Sequence, residues 1–168
     1  FITTGFIGRK GYLAAEQIKE LRASGMGIGS HAVSHRYLSD LPTRDIREEL
    51  RASRRILEEW TGEPVWAFSP PGGRVSSRVL EEAREAGYIA VCNSFPAFVK
   101  REQSPLELGR FSVSRGLAAS SLLSLLGGGQ NVGAKVFQIG TAIGKKILGN
   151  SKYDRVREIL LERYFRDE

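Results

Sequence analysis

Short apolar runs alternate with amphipathic helical stretches through the first half of this chain, and that rhythm limits the folds open to it. Phe1-Ile2-Thr3-Thr4 reads as a strand. Ala14, Ile18 and Leu21 follow at helical spacing, with Gly25 placed to end that helix in the left-handed conformation. Gly27-Ile28-Gly29 reads as a second strand. A helix is expected from Thr43 to Trp60, because Ile46, Leu50, Leu57 and Trp60 keep the helical period. Thr43 is expected to cap its start, and Gly62 follows its end. Val65-Trp66-Ala67-Phe68 is the next strand, stopped by Pro70-Pro71-Gly72-Gly73. Ser76 is placed to cap a helix carrying Val79, Leu80 and Ala83 that stops at Gly87. Tyr88 to Val91 is a further strand, and Arg110 to Ser114 is one more. This repetition calls for an α/β fold with a largely parallel sheet covered by helices. Functional sites of such folds lie on loops beyond the carboxyl ends of the strands. The loops 31–35 and 70–74 both occupy that position.

With 168 residues, 41% hydrophobic and 26% charged, the chain can bury one real core. No apolar run reaches the length of a membrane span, and no basic-then-apolar leader opens the sequence. The start at Phe1 rather than Met reads as that of a fragment or processed product. The single cysteine, Cys92, excludes an internal disulfide, leaves the compartment open and is expected to be a buried strand residue. A net charge of +6 suits anionic partners such as acidic glycans, membrane surfaces or nucleic acid. Arg44, Arg47, Arg51, Arg54 and Arg55 alternate with Asp45, Glu48, Glu49, Glu58 and Glu59, which reads as an exposed helix face of paired charges. It lacks the interleaved aromatics of a nucleic-acid stripe, so nucleic acid is not expected as a partner.

After Gly116 the character changes. Leu117 to Leu126 is apolar and serine-rich, and Gly127-Gly128-Gly129 follows. Val132, Val136, Ile139, Ile143 and Ile147 keep helical spacing despite Gly133, Gly140 and Gly144, and a last helix carries Tyr153, Val156, Leu160 and Tyr164. The expected organisation is therefore a domain over 1–116 and a basic helical extension over 117–168 packed on it. Lys135, Lys145, Lys146, Lys152, Arg155 and Arg157 would also permit weak contact with an anionic membrane surface.

The chain has two histidines, His31 and His35, in Gly29-Ser30-His31-Ala32-Val33-Ser34-His35. A four-residue step on a helical turn would put both imidazoles on one face, where they could share one metal ion. Taken alone, the pair reads more readily as two residues of a surface helix face. The His-Glu-x-x-His pattern of zinc proteases is excluded, because Ala32 stands at the glutamate position. Asp40 and Asp45 are the nearest acids, but Asp40 is placed as a cap before Leu41-Pro42 and Asp45 belongs to the helix start. In the second loop, Pro70-Pro71 fixes the turn and the glycines would let the backbone approach a ligand, unless the loop is simply tight.

In order, Gly11-Tyr12-Leu13, Ile18, Leu21, Gly25, Ile28-Gly29-Ser30-His31, Ser34-His35, Leu38 and Leu41 resemble the polysaccharide deacetylases of carbohydrate esterase family 4. The order continues through Glu48-Glu49-Leu50, Ser53-Arg54-Arg55-Ile56-Leu57-Glu58, Thr61-Gly62-Glu63-Pro64-Val65, Phe68-Ser69-Pro70-Pro71-Gly72-Gly73-Arg74 and Glu85-Ala86-Gly87-Tyr88. The resemblance covers roughly residues 1 to 115. It implies a deformed (β/α) barrel, missing its first strand here, and a metal-dependent N- or O-deacetylase acting on sugar polymers. It implies a divalent metal, usually zinc, on His31 and His35, with Ala32 replacing a Ser/Thr of the motif. It implies a substrate groove at Pro70, Pro71, Gly72, Gly73 and Arg74, with Ser69 where the family's Arg-x-Pro-x-Gly motif has its arginine.

The family's third ligand and catalytic base belong to a Thr-Phe-Asp-Asp-Gly motif absent from this sequence, so the base is expected upstream of Phe1. An Asp-x-x-Asp-Trp-like segment is not evident near Cys92-Asn93-Ser94, and no histidine follows His35 to serve as the late general acid. Arg110 or Arg115 could face the groove. The expected partner is an acetylated glycan or oligosaccharide, and the location is left open between a soluble cytoplasmic and a cell-envelope-associated protein. The alternative is a catalytically dead glycan-binding or scaffolding protein on the same fold. The 168-residue piece itself is expected to bind metal weakly, to be inactive and to expose a sheet edge.

Overall fold

A computed structural model describes residues 1–95, 97–111, 113 and 118–127. The chain divides into two compact units, Phe1–Arg110 and Phe111–Glu168. In the first, α1 spans Ala15–Ala23, α2 Thr43–Thr61, β1 Ala67–Phe68, α3 Ser77–Glu85 and β2 Ala90–Val91. Short 3-10 turns occupy Thr4–Phe6, Leu38–Asp40, Pro71–Gly73 and Pro105–Glu107. In the second, α4 spans Ala119–Leu126. The predicted helices beyond it, and the basic tail, lie outside the described residues.

The sheet is parallel and runs in chain order. Strands β1 and β2 pair in parallel with Ala67 opposite Ala90 and Phe68 opposite Val91. Single parallel bridges extend the ladder on both sides: Ile2 with Ser30, Ser30 with Phe68, and Cys92 with Leu108. Five segments are thus successive neighbours, with α1, α2 and α3 as the first three crossovers. Ring closure is not among these pairings. The fifth segment is centred on Leu108, ahead of the predicted strand at Arg110 to Ser114. Pro105 and the cap at Ser104, whose hydroxyl accepts from Leu106 N–H, turn the chain early enough for Leu108 to reach Val91.

The helices bury one stripe each. In α2 the buried set is Ile46, Glu49, Leu50, Ser53 and Leu57. Ile46, Leu50 and Leu57 meet Phe68, Val79, Ala83, Tyr88 and Val91 in one cluster. Gly62 ends α2 with φ +70. The predicted Thr43 cap is not made: Thr43 is the first helical residue, and Pro42 precedes it without a side-chain cap bond. Ser76 does cap α3, its hydroxyl accepting from Val79 N–H.

The charged face of α2 also departs from expectation. Arg54 and Glu58 form an i,i+4 pair at 2.9 Å, but Glu58 also accepts from Val65 N–H and Arg54 donates to the Ala86 carbonyl. Arg47 crosses to α3, where Glu82 accepts from its Nε and Nη2 at 2.9 and 2.8 Å. Glu49 faces inward. Tertiary partners outcompete i,i+4 neighbours because they present fixed donors and acceptors. Cys92 is half-buried rather than fully enclosed. No described helix is long and apolar enough to cross a membrane.

Candidate functional site

Four consecutive segments end on one rim. His31 follows Ser30, Ser69 follows Phe68, Asn93 follows Cys92, and Arg110 comes two residues after Leu108. Each anchor residue sits in the parallel ladder, so these side chains share the carboxyl edge.

The histidine loop is not a helical turn. Ala32 and His35 both adopt φ 63, a left-handed conformation that costs a non-glycine residue roughly 1–2 kcal/mol. The compensation is Glu49. Its carboxylate accepts from Val33 N–H at 2.8 Å, Ser34 N–H at 3.0 Å and the Ser34 hydroxyl at 2.5 Å, and Arg36 adds a contact at 3.3 Å. Successive backbone N–H groups converge on one anion, as in a backbone nest. Burial pushes the Glu49 carboxyl up, but the Ser34 hydroxyl, the two backbone N–H groups and Arg36 outweigh it and hold the group below the usual carboxylate range. From the other side, Thr4 and Gly5 N–H groups donate to the Ala32 and Val33 carbonyls at 3.0 and 2.9 Å.

The loop brings the imidazole rings to a centroid separation of 5.0 Å, inclined by 57°. His31 is half-buried and its Nδ1 lies 2.5 Å from the Ser69 carbonyl oxygen. A carbonyl only accepts, so Nδ1 carries the proton and Nε2 keeps its lone pair. Burial lowers the His31 pKa to about 4, against the opposing bond to Ser69, so the ring is neutral near pH 7. His35 is exposed, with the Phe6 ring 6.0 Å away and Tyr12 against Phe6 at 4.9 Å.

The second loop starts at Ser69, which is buried. Its carbonyl orients His31, and its hydroxyl accepts from Arg110 Nη2 at 2.7 Å. Arg110 Nε also donates to the Asn93 carbonyl at 2.9 Å. Pro70 and Pro71 are buried, while Gly72, Gly73 and Arg74 are partly exposed. Gly72 and Gly73 have φ +68 and +69. A Cβ on Gly72 would meet the Tyr37 ring, and one on Gly73 would meet Ser94. The expected close approach of backbone to ligand is therefore filled, at these two positions, by the protein's own side chains.

Among the described residues, no group of three or more His, Cys, Asp or Glu side chains could hold a metal. Asp40 accepts from the Ser39 hydroxyl, and Asp45 lies beside Arg44 in the first turn of α2. The described residues thus bring together two imidazole donors and no carboxylate as a third. Sequence reasoning missed Glu49 as the support of this loop. The signal was present: position 49 falls in the stripe 46, 50, 53 and 57, where an acid needs buried donors.

The family model described as polysaccharide deacetylase matches residues 1–91. A Bacillus subtilis protein that carries the name of a polysaccharide deacetylase, YxkH, is 30% identical over 115 residues, covering 68% of this chain and 41% of that protein. A peptidoglycan-N-acetylglucosamine deacetylase of Bacillus cereus is 34% identical over 92 residues, covering 54% of this chain and 41% of that protein. Among solved structures, a polysaccharide deacetylase from Bacillus cereus superposes with a TM-score of 0.68 at 25% identity, covering 74% of this chain and 40% of that one. The chain therefore spans about 41% of the length of the curated relatives it matches.

Proposed function

This chain belongs to the polysaccharide deacetylase family, and on that premise we propose that the protein hydrolyses N- or O-acetyl groups from sugars of a polysaccharide or cell-surface glycan with the help of a divalent metal. The carrying observation is the pair His31 and His35, paired at 5.0 Å with His31 held neutral and its Nε2 lone pair kept for a ligand. The two imidazoles are two of the donors a metal ion needs: imidazole suits zinc, copper, iron and nickel, and the Nδ1 bond to a carbonyl is the usual support of a ligating histidine. When bound, such an ion supplies Lewis acidity at the acetyl carbonyl and an acidified water.

The chain's own residues do the rest. Glu49 holds the loop that carries both rings and Ser69 fixes the tautomer of His31, and we place the substrate groove along residues 70–74. We place the third ligand and the base in the part of the protein beyond these residues, on a deformed (β/α) barrel of which the described segments are an arc. The substrate class rests on the relatives, one of which is named for peptidoglycan N-acetylglucosamine.

Acetate release from acetylated peptidoglycan and chitin oligomers by the full-length protein tests this reading. Activity abolished by a chelator, restored by zinc and lost in His31→Ala is the expected result. Glycan binding without acetate release, in the presence of added metal, would replace it with the binding-protein alternative.

A further inference from the structure

A third loop reaches the two imidazoles from outside the histidine and proline loops. Residues 5–14 leave the carboxyl end of the first segment, next to the histidine loop. Their placement is fixed there: Thr4 and Gly5 N–H groups donate to the Ala32 and Val33 carbonyls, and a Cβ on Gly5 would overlap the Val33 carbonyl oxygen. The loop is also closed on itself. Gly8 N–H donates to the Leu13 carbonyl at 2.9 Å, Arg9 N–H to that of Phe6 at 3.1 Å and Tyr12 N–H to that of Arg9 at 3.0 Å. Gly8 and Gly11, at φ +75 and +85, make these turns.

This framework carries a row of rings that begins at the histidines. The Phe6 ring lies 6.0 Å from His35 and 4.9 Å from Tyr12, and the Arg9 guanidinium carbon lies 4.9 Å from the Phe6 centroid. Phe6 is partly buried, whereas Tyr12 is 56% exposed. The charge around the row has one sign. Arg9 and Lys10 are exposed, and residues 1–15 and 29–36 contain no Asp or Glu. None of the ion pairs among the described residues includes Arg9 or Lys10, while the cation of the histidine loop, Arg36, already meets Glu49.

We infer that residues 6–12 form a sugar subsite beside the two histidines, in which Tyr12 packs against the C–H face of one sugar and Arg9 binds a carboxylate that this sugar carries. The preferred substrate is then an acidic glycan, with a uronic acid next to the acetylated sugar. The inference rests on the deacetylase reading above. Charge complementarity selects this occupant: the guanidinium is stacked on Phe6, which orients its planar fork for a carboxylate, and an exposed phenol ring offers an apolar body with a polar tip.

The full-length protein is titrated by calorimetry with two probes of equal length, an oligosaccharide alternating N-acetylglucosamine with glucuronic acid and a chitin oligomer. Acetate release and bound metal are measured alongside. The parent is expected to bind the acidic probe about tenfold more tightly, and Arg9→Gln to bring the two affinities within about twofold, as loss of a charge-assisted bond does, with bound metal unchanged. Tyr12→Ala is expected to weaken both probes about threefold or more and to keep the preference. Arg9→Met keeps an apolar stem over Phe6 and decides in place of Arg9→Gln if that variant does not fold. A parent without the preference, a preference that survives loss of the Arg9 charge, or unchanged affinities in Tyr12→Ala overturns the subsite. A preference abolished in Arg9→Gln, with no acetate released from either probe by the parent, overturns the deacetylase reading and leaves the subsite standing.

Discussion

His31 stays neutral because the fold removes it from water, and this gives it a measurable signature. The ordinary value is 6.5 and the folded value is about 4. Between these values the unfolded chain binds a proton that the native ring refuses, so native stability is complete above pH 6.5 and declines as pH falls toward 4. In chelator, urea midpoints of the parent should decline across that window, and those of His31→Gln should decline less. Equal slopes for both proteins would remove burial of His31 as the cause. Glu49 titrates in a lower window. Its folded value lies below the usual 4.5, so the stability it contributes is present above 4.5 and is lost as pH falls through the depressed value. Glu49→Ala leaves two backbone N–H groups and a hydroxyl without their acceptor, which should cost about 2–3 kcal/mol. Metal affinity should fall with it, because the left-handed residues 32 and 35 lose their support. A urea midpoint within error of the parent would show that water replaces the carboxylate. The pair of histidines was legible in the sequence. The backbone that joins them was not, because nothing in Ala32 or His35 announces a positive φ that depends on a carboxylate 14 residues beyond His35.

Helix ends separate legible from illegible features at the next scale. Ser76 and Thr43 look alike in sequence, each a hydroxyl residue ahead of a periodic apolar run. Only Ser76 accepts a bond from the third residue of its helix. Pro42 fits the entry to α2 and pushes Thr43 into the helix itself, where its hydroxyl is no cap. Ser76→Ala should therefore cost about 1 kcal/mol, and Thr43→Ala less than about 0.5 kcal/mol. Urea unfolding of both variants decides, and equal costs would contradict the capping geometry. The amphipathic period placed α1, α2 and α3 within a residue or two, because apolar burial sets it. It did not separate the solvated acids of α2 from Glu49, nor foresee that Arg47 pairs with Glu82 on another helix. Charge sequence records which residues are ionised, while the partner depends on packing.

Across the first unit, a buried polar chain ties sheet to helix at the point where His31 leaves the rim. The Ser30 hydroxyl lies 2.8 Å from that of Ser53, which donates to the Leu50 carbonyl at 3.1 Å. The Tyr88 hydroxyl, 3.2 Å from Ser53, reaches the same carbonyl at 3.1 Å. Ser30 also accepts from Ala32 N–H, so the chain runs from the segment after α3, through α2, into the histidine loop. The alternation of strands and helices made the parallel sheet legible, but not the order of its strands. The network was not, because serines at 30 and 53 read as ordinary small residues until α2 packs across them. All three side chains are essentially excluded from water, so removing one leaves the others short of a partner. Tyr88→Phe should cost about 1–2 kcal/mol and Ser53→Ala a similar amount. In a double-mutant cycle by urea unfolding, the two should couple by about 1 kcal/mol, since the second loss occurs in a network already broken. Additivity within about 0.3 kcal/mol would mean that the hydroxyls act independently, and the sheet-to-helix tie would then reduce to apolar packing of Tyr88 against Phe68.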